Sequence, residues 1–169
     1  MKSIVRLGVI TGVALTSIVA GVVFLWPAPA TGPEPIAYGR DTCASCRMHV
    51  SRPGFAGEMR DPDGTLTKYD DVGCLIRAIL AAHREVPQAW VEDHAGGGFV
   101  PLLSAKLVRG DEASTPMGSG LVAFADESAA RTYADAHGVR VMTFDDVLRD
   151  STLLALLTAR PGSGSGRSP

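Results

Sequence analysis

A chain of 169 residues is long enough for one domain, or two small fused subdomains, with a real core. Net charge is −2; residues 1–30 hold Lys2 and Arg6 and no acids, leaving 14 basic against 18 acidic side chains with no basic patch, which argues against a nucleic-acid partner. Three cysteines cannot all pair, so at least one thiol is free or metal-bound.

Lys2 and Arg6 precede an uncharged run over residues 7–26. About 20 apolar residues suffice to cross a bilayer as a helix, more than the 7–15 or so of a signal-peptide core. Ala28-Pro29-Ala30 resembles a cleavage site weakened by its proline, so residues 1–26 read as an uncleaved signal anchor. The positive end stays cytoplasmic, which puts the remainder on the outer face, periplasmic where that compartment exists. No Cys follows the run directly, so a lipid anchor is not supported. Residues 27–42, rich in Pro, Ala and Gly, read as a linker.

The globular part is expected over residues 43–158. Residues 55–60 read as a strand, Asp61-Pro62-Asp63-Gly64 as a turn and residues 65–69 as the returning strand. Asp70 or Asp71 can cap a helix whose buried stripe is Val72, Leu75, Ile76, Ile79 and Leu80, with Pro87 closing it. Residues 89–93 form a strand, which completes β-β-α-β. Strands are then expected at 99–103 and 121–124, with an irregular stretch at 104–119 between them. Asp126 can cap a helix through Ala136 that Gly138 terminates. An alternating strand at 139–144 and a helix at 145–158 follow, and the Gly/Ser tail from 159 reads as disordered. The expected class is α+β, two β-β-α-β units packed together behind an N-terminal membrane segment.

The chemistry concentrates in Cys43-Ala44-Ser45-Cys46-Arg47-Met48-His49. Cys46 and Met48 stand two apart, on one face if the backbone is extended. Thiolate beside thioether is a soft pair that selects Cu(I), whereas zinc prefers thiolate, imidazole and carboxylate. Met117, in Thr115-Pro116-Met117-Gly118, sits at a turn where core filling is an odd use for it. These residues suggest a Cu(I) site of Cys46, Met48 and Met117. One thiolate balances the ion's charge, two thioethers add neutral donors that form no disulfides, and three-coordination leaves an approach for a partner's ligand. No nucleophile–base arrangement stands out, so no catalysis is expected.

The competing readings are blander. Cys43-x-x-Cys46 alone suggests a redox dithiol, a structural disulfide or half a zinc site. A zinc site lacks a tight second pair, because Cys74 is not paired closely with His83 or His94. A thiol-disulfide oxidoreductase using Cys43 and Cys46 is the main alternative, but its motif should open a helix. Cys74 reads as a small buried hydrophobe beside the helix stripe, and Met59 and Met142 as core filling. Extended backbone turns His49 to the side opposite Met48.

Three motifs in order resemble a known family: Cys-x-x-Cys-x-Met-x-Val, Tyr-Asp-Asp-Val-Gly-Cys-Leu and Thr-Pro-Met-Gly-Ser-Gly-Leu-Val-Ala-Phe. Over residues 41–146 the chain resembles the NosL-type accessory proteins of nitrous oxide reductase. The resemblance implies a membrane-tethered periplasmic Cu(I) chaperone, on the periplasmic side of the inner membrane. It implies a fold like the core of organomercury lyases and copper ligands at Cys46, Met48 and Met117. The implied partners are nitrous oxide reductase, whose copper–sulfide centre it would supply, and its maturation machinery, including a membrane transporter complex. Two departures stand out: Arg47 replaces a frequent Gly, and the lipoprotein cysteine of many members is missing.

Overall fold

The predicted hairpin forms from Gly57–Arg60 (β1) and Leu66–Tyr69 (β2), antiparallel, with Arg60 opposite Leu66. Its turn closes through the Asp61 N–H to the Thr65 carbonyl (2.9 Å) and the Gly64 N–H to the Asp61 carbonyl (2.9 Å). The computed structural model describes residues 31–82, 88–110 and 115–158. The apolar run 7–26, His83, Pro87 and the tail from 159 lie outside the described residues. Among the described residues no helix is long and apolar enough to cross a membrane.

After β2 the chain enters α1 (Val72–Ala82), which buries Val72, Leu75, Ile76 and Ile79 as its periodicity requires. β3 (Gln88–Glu92) returns beside β1, and β4 (Phe99–Pro101) adds to its far side, giving the order β2-β1-β3-β4. Pro101 is tolerated there because β4 is an edge strand. A second sheet has the order β6-β5-β7, with β5 (Lys106–Arg109) central, β6 (Leu121–Phe124) and β7 (Val141–Met142). Helix α2 (Glu127–His137) precedes β7, and α3 (Phe144–Arg149) and α4 (Ser151–Thr158) end the described chain. The class is α+β with two small sheets. In both, the first strand of a β-β-α-β run lies between the second and third.

Three expectations need correction. The stretch 104–119 is not wholly irregular, since it holds β5, the central strand of the second sheet. Leu107 and Val108 are both fully buried, one on each face, so no apolar–polar alternation marks the strand. The strand expected at 139–144 shrinks to two residues, because Thr143 leaves it to cap α3 in a capping box with Asp146. The single helix expected at 145–158 is two helices. Asp150 between them is extended (φ −84°, ψ 95°), and its carboxylate accepts from the N–H groups of Thr152 (3.1 Å) and Leu153 (3.0 Å). A side chain that caps a new helix competes with continuing the old one.

The main core joins α1 (Leu75, Ile76) to β1 (Met59), β3 (Val91), the second sheet (Leu107, Leu121, Met142) and α4 (Leu153, Leu157). The other face of the second sheet packs Val108, Val122 and Phe124 on Ala130 and Ala134 of α2. Asp126 caps α2 and Gly138, at φ 66°, ends it, both as expected.

The first sheet's other face carries Glu58, Arg60 and Lys68 beside Trp90 and Leu66, and residues 32–41 of the expected linker lie on it; residues 27–30 fall outside the described residues. The Glu34 N–H donates to Glu58 Oε2 (2.8 Å), Arg60 Nη2 to the Gly32 carbonyl (2.8 Å) and Lys68 Nζ to Asp41 Oδ2 (2.8 Å). Tyr38 donates its hydroxyl proton to Glu92. Glu58 is fully buried, its Oε1 without a hydrogen bond and 3.9 Å from Lys68 Nζ. Burial pushes its carboxyl above the ordinary range.

Two predictions follow from this packing. The native state holds the Glu58 proton more tightly than the unfolded chain does, so its ionisation weighs against folding at neutral pH and ceases to do so as pH falls through the raised pKa. Glu58→Gln should therefore unfold at higher temperature than the parent near pH 7, with the gain shrinking toward about pH 4. A variant less stable at pH 7 would show that the Lys68 ion pair outweighs burial. The second concerns Gly73, where a Cβ would meet Ser119 Cβ at 2.5 Å, Asp71 Oδ1 at 2.9 Å and Leu157 Cδ2 at 3.0 Å. Gly→Ala in a helix ordinarily stabilises by up to about 1 kcal/mol. Here overpacking should reverse the sign, and chemical denaturation of Gly73→Ala should show a loss of about 1–3 kcal/mol.

Candidate metal centre

The Cys/Met segment folds as a small hairpin. Thr42 bridges His49, the Cys43 N–H donates to the Met48 carbonyl (2.8 Å), and the Arg47 N–H donates to the Cys43 carbonyl (3.0 Å). The backbone from Cys46 to Met48 is therefore not extended, which corrects the same-face reasoning for that pair. Arg47 sits at φ 67°, the one positive φ outside glycine among the described residues, at the position where the resemblance has a frequent Gly. The hairpin is tied to β2 by the Ala44 N–H to the Lys68 carbonyl (2.9 Å). It is tied to the start of α1 by Ser51, whose N–H (2.7 Å) and hydroxyl (3.0 Å) both donate to Asp70 Oδ1.

Asp71, next in the chain, caps α1 through the Gly73 N–H to its Oδ1 (2.7 Å). Its Oδ2 accepts from the Met117 N–H (3.2 Å). The Met117 turn is thus held at the helix start that carries Cys74. Met117 is half-buried against the main core, as is Cys46, whereas Met48 is 53% exposed and His49 is exposed.

Cys74 is fully buried, as a small hydrophobe would be, but its surroundings are not apolar alone. The sulfurs of Cys43, Cys46 and Cys74 all lie within 4.8 Å of one another. Among the described residues, no imidazole or carboxylate joins this group. Sequence reasoning did not place Cys74 beside the other two cysteines. The available signal was its place in the first turn of α1, after a capping Asp and a Gly that admits the Met117 turn. All three cysteines are free. Cys43-x-x-Cys46 occupies a hairpin turn and opens no helix, so the context of a thioredoxin-like motif is absent.

The electrostatics favour one negative sulfur, that of Cys43. Hydrogen bonding from the Cys74 thiol, aided by the backbone N–H groups of Cys46 and Asp70 against the cost of burial, brings the Cys43 thiol down to about 5. Cys74, as the donor of that bond and a buried group, is pushed up. Burial raises Cys46. Arg77 Nη1 lies 3.9 Å from the Cys74 sulfur, a cation beside the cluster. Sulfur donors with a cation, backbone N–H groups and a helix start around them could hold a soft metal ion.

Comparison with known proteins agrees with this chemistry. The NosL family model matches residues 36–152. The copper-binding lipoprotein NosL of Stutzerimonas stutzeri is 29% identical over 133 residues, covering 72% of this chain and 68% of that protein. The crystal structure of the copper chaperone NosL from Shewanella denitrificans matches with a TM-score of 0.59, over 71% of this chain and 96% of that one. At 18% identity, that likeness establishes the fold. Both relatives are named for copper, neither for catalysis. The family match spans the Cys hairpin, the Asp70–Asp71 pair and the Met117 turn together, and the chain belongs to the NosL family.

Proposed function

We propose that this protein carries Cu(I) on the outer face of the inner membrane and delivers it for assembly of the copper–sulfide centre of nitrous oxide reductase. The observation that carries the reading is Cys46, a half-buried thiol in contact with a buried sulfur cluster and two residues from exposed Met48. We assign the outward-facing copper position to Cys46, Met48 and Met117. Cys46 supplies the charge that pairs with the ion, and the thioethers supply soft donors that a partner's ligand can displace. An exposed thioether suits transfer, because a fully enclosed ion would have to dissociate before meeting a recipient. The recipient rests on the resemblance to accessory proteins of nitrous oxide reductase, as does participation of its maturation machinery, including a membrane transporter complex. Attachment rests on residues 1–26, whose charged start and apolar run read as an anchor.

The reduced protein should take up Cu(I) far more tightly than Zn(II) in anaerobic chelator competition. Cys46→Ser should lose on the order of 100-fold in Cu(I) affinity, ~2.7 kcal/mol. Met48→Ala and Met117→Ala should change affinity far less, and each should slow transfer of the ion to an external chelator. Zinc binding as tight as copper, or a Cys46→Ser variant that binds like the parent, would sink the assignment. In cells, the protein should stay with membranes after high-salt washing. Recovery of a soluble form starting near Thr31 would instead identify a cleaved signal.

A further inference from the structure

We propose a second, interior Cu(I) position formed by Cys43, Cys46 and Cys74, sharing Cys46 with the outward position and holding the ion at rest. The proposal rests on the copper-carrying reading above and goes beyond it, because neither Cys43 nor Cys74 belongs to the outward set. Metal–thiolate bonds of about 2.3 Å in a trigonal plane separate the sulfurs by about 4.0 Å. The three sulfurs already lie within 4.8 Å of one another, so closure onto an ion needs shifts of under an ångström.

The donors come from two independently anchored elements. Cys43 and Cys46 ride the hairpin fixed to β2 through Ala44, and Cys74 rides the first turn of α1. The Cys46 N–H points at the Cys43 sulfur (3.5 Å), and Arg77 Nη1 approaches the Cys74 sulfur (3.9 Å). These groups offset part of the negative charge that three thiolates around a monovalent ion leave behind. Zinc would want a fourth ligand, and no imidazole or carboxylate stands with the sulfurs among the described residues, whereas Cu(I) accepts three sulfurs.

Sharing Cys46 gives a path that never frees the ion. Copper held by the three thiolates keeps its Cys46 bond while Met48 and Met117 replace Cys43 and Cys74. The incoming thioethers carry no proton, and any proton that a released thiolate takes up comes from solvent. Copper stays Cu(I) and no electron moves. The ion rests on three anionic donors inside and is presented on one anionic and two neutral donors outside, a weaker set facing the recipient.

The test uses the full-length, selenomethionine-labelled protein in detergent, loaded anaerobically with one equivalent of Cu(I), and X-ray absorption at the selenium and copper edges. The parent should show about three sulfurs on copper and no selenium–copper contact. In Cys74→Ala and Cys43→Ser the contact should appear as the ion falls back on the methionines, with Cu(I) affinity down at least about tenfold. A selenium–copper contact in the parent overturns the interior position whether or not the variants fold. It leaves the copper-carrying reading intact. Failure of the parent to bind Cu(I) at all would instead sink that reading.

Discussion

The candidate site depends on two buried carboxylates in adjacent positions. Asp70 accepts from Ser51 and so holds the Cys hairpin, and Asp71 accepts from Gly73 and Met117 and so holds the helix start and the Met turn. Both are fully buried, where a carboxylate is costly unless hydrogen-bonded. That cost makes the contacts specific: a misplaced hairpin or turn would strip Asp70 Oδ1 or Asp71 Oδ2 of its donors. Every residue of Asp70-Asp71-Val72-Gly73-Cys74 then has a task. Two aspartates brace, Val72 fills the core, Gly73 admits Ser119 and Leu157, and Cys74 brings a third sulfur to the cluster.

The sulfur donors are graded from interior to surface. Cys43 and Cys74 are fully buried, Cys46 and Met117 half-buried, and Met48 exposed. Burial penalises charge on a free thiol and strengthens its attraction to a bound cation in a low-dielectric setting. An exposed thioether is neutral and weakly hydrated, so leaving it in water costs little. The gradient places two thiols where water is excluded and a thioether where another protein can reach.

The first sheet is asymmetric for a related reason. One face packs Met59 and Val91 on α1, and the other carries Glu58, Arg60, Lys68 and Glu92 beneath residues 32–41. The covering segment is held there by hydrogen bonds and ion pairs. Lys68 contributes twice: its ammonium pairs with Asp41 of that segment, and its carbonyl anchors the Cys hairpin through Ala44. β2 thus ties the covering segment and the site-bearing loop to one strand.

Elements with a local signature were legible in the sequence. The β1–β2 hairpin followed from its Asp-Pro-Asp-Gly turn, α1 from its apolar stripe, and the ends of α2 from Asp126 and Gly138, because turn chemistry, periodicity and capping act within a few residues. The soft-donor character of Cys-x-x-Cys-x-Met and its family resemblance were equally plain. What only the tertiary structure decided lies in contacts between distant segments. Cys74 reads as packing until the fold sets it against Cys43 and Cys46. Met117 gains its place from an Asp71 contact that no local pattern contains. β5 is hidden because burial on both faces erases alternation, the Pro-rich stretch before the site hides its donor to Glu58 and its acceptor for Lys68, and Arg47 conceals a left-handed turn that a glycine would have announced. A residue's type and spacing declare what it can bind, but which sulfurs meet is set by how helix, hairpin and turn pack, and that is a property of the whole chain.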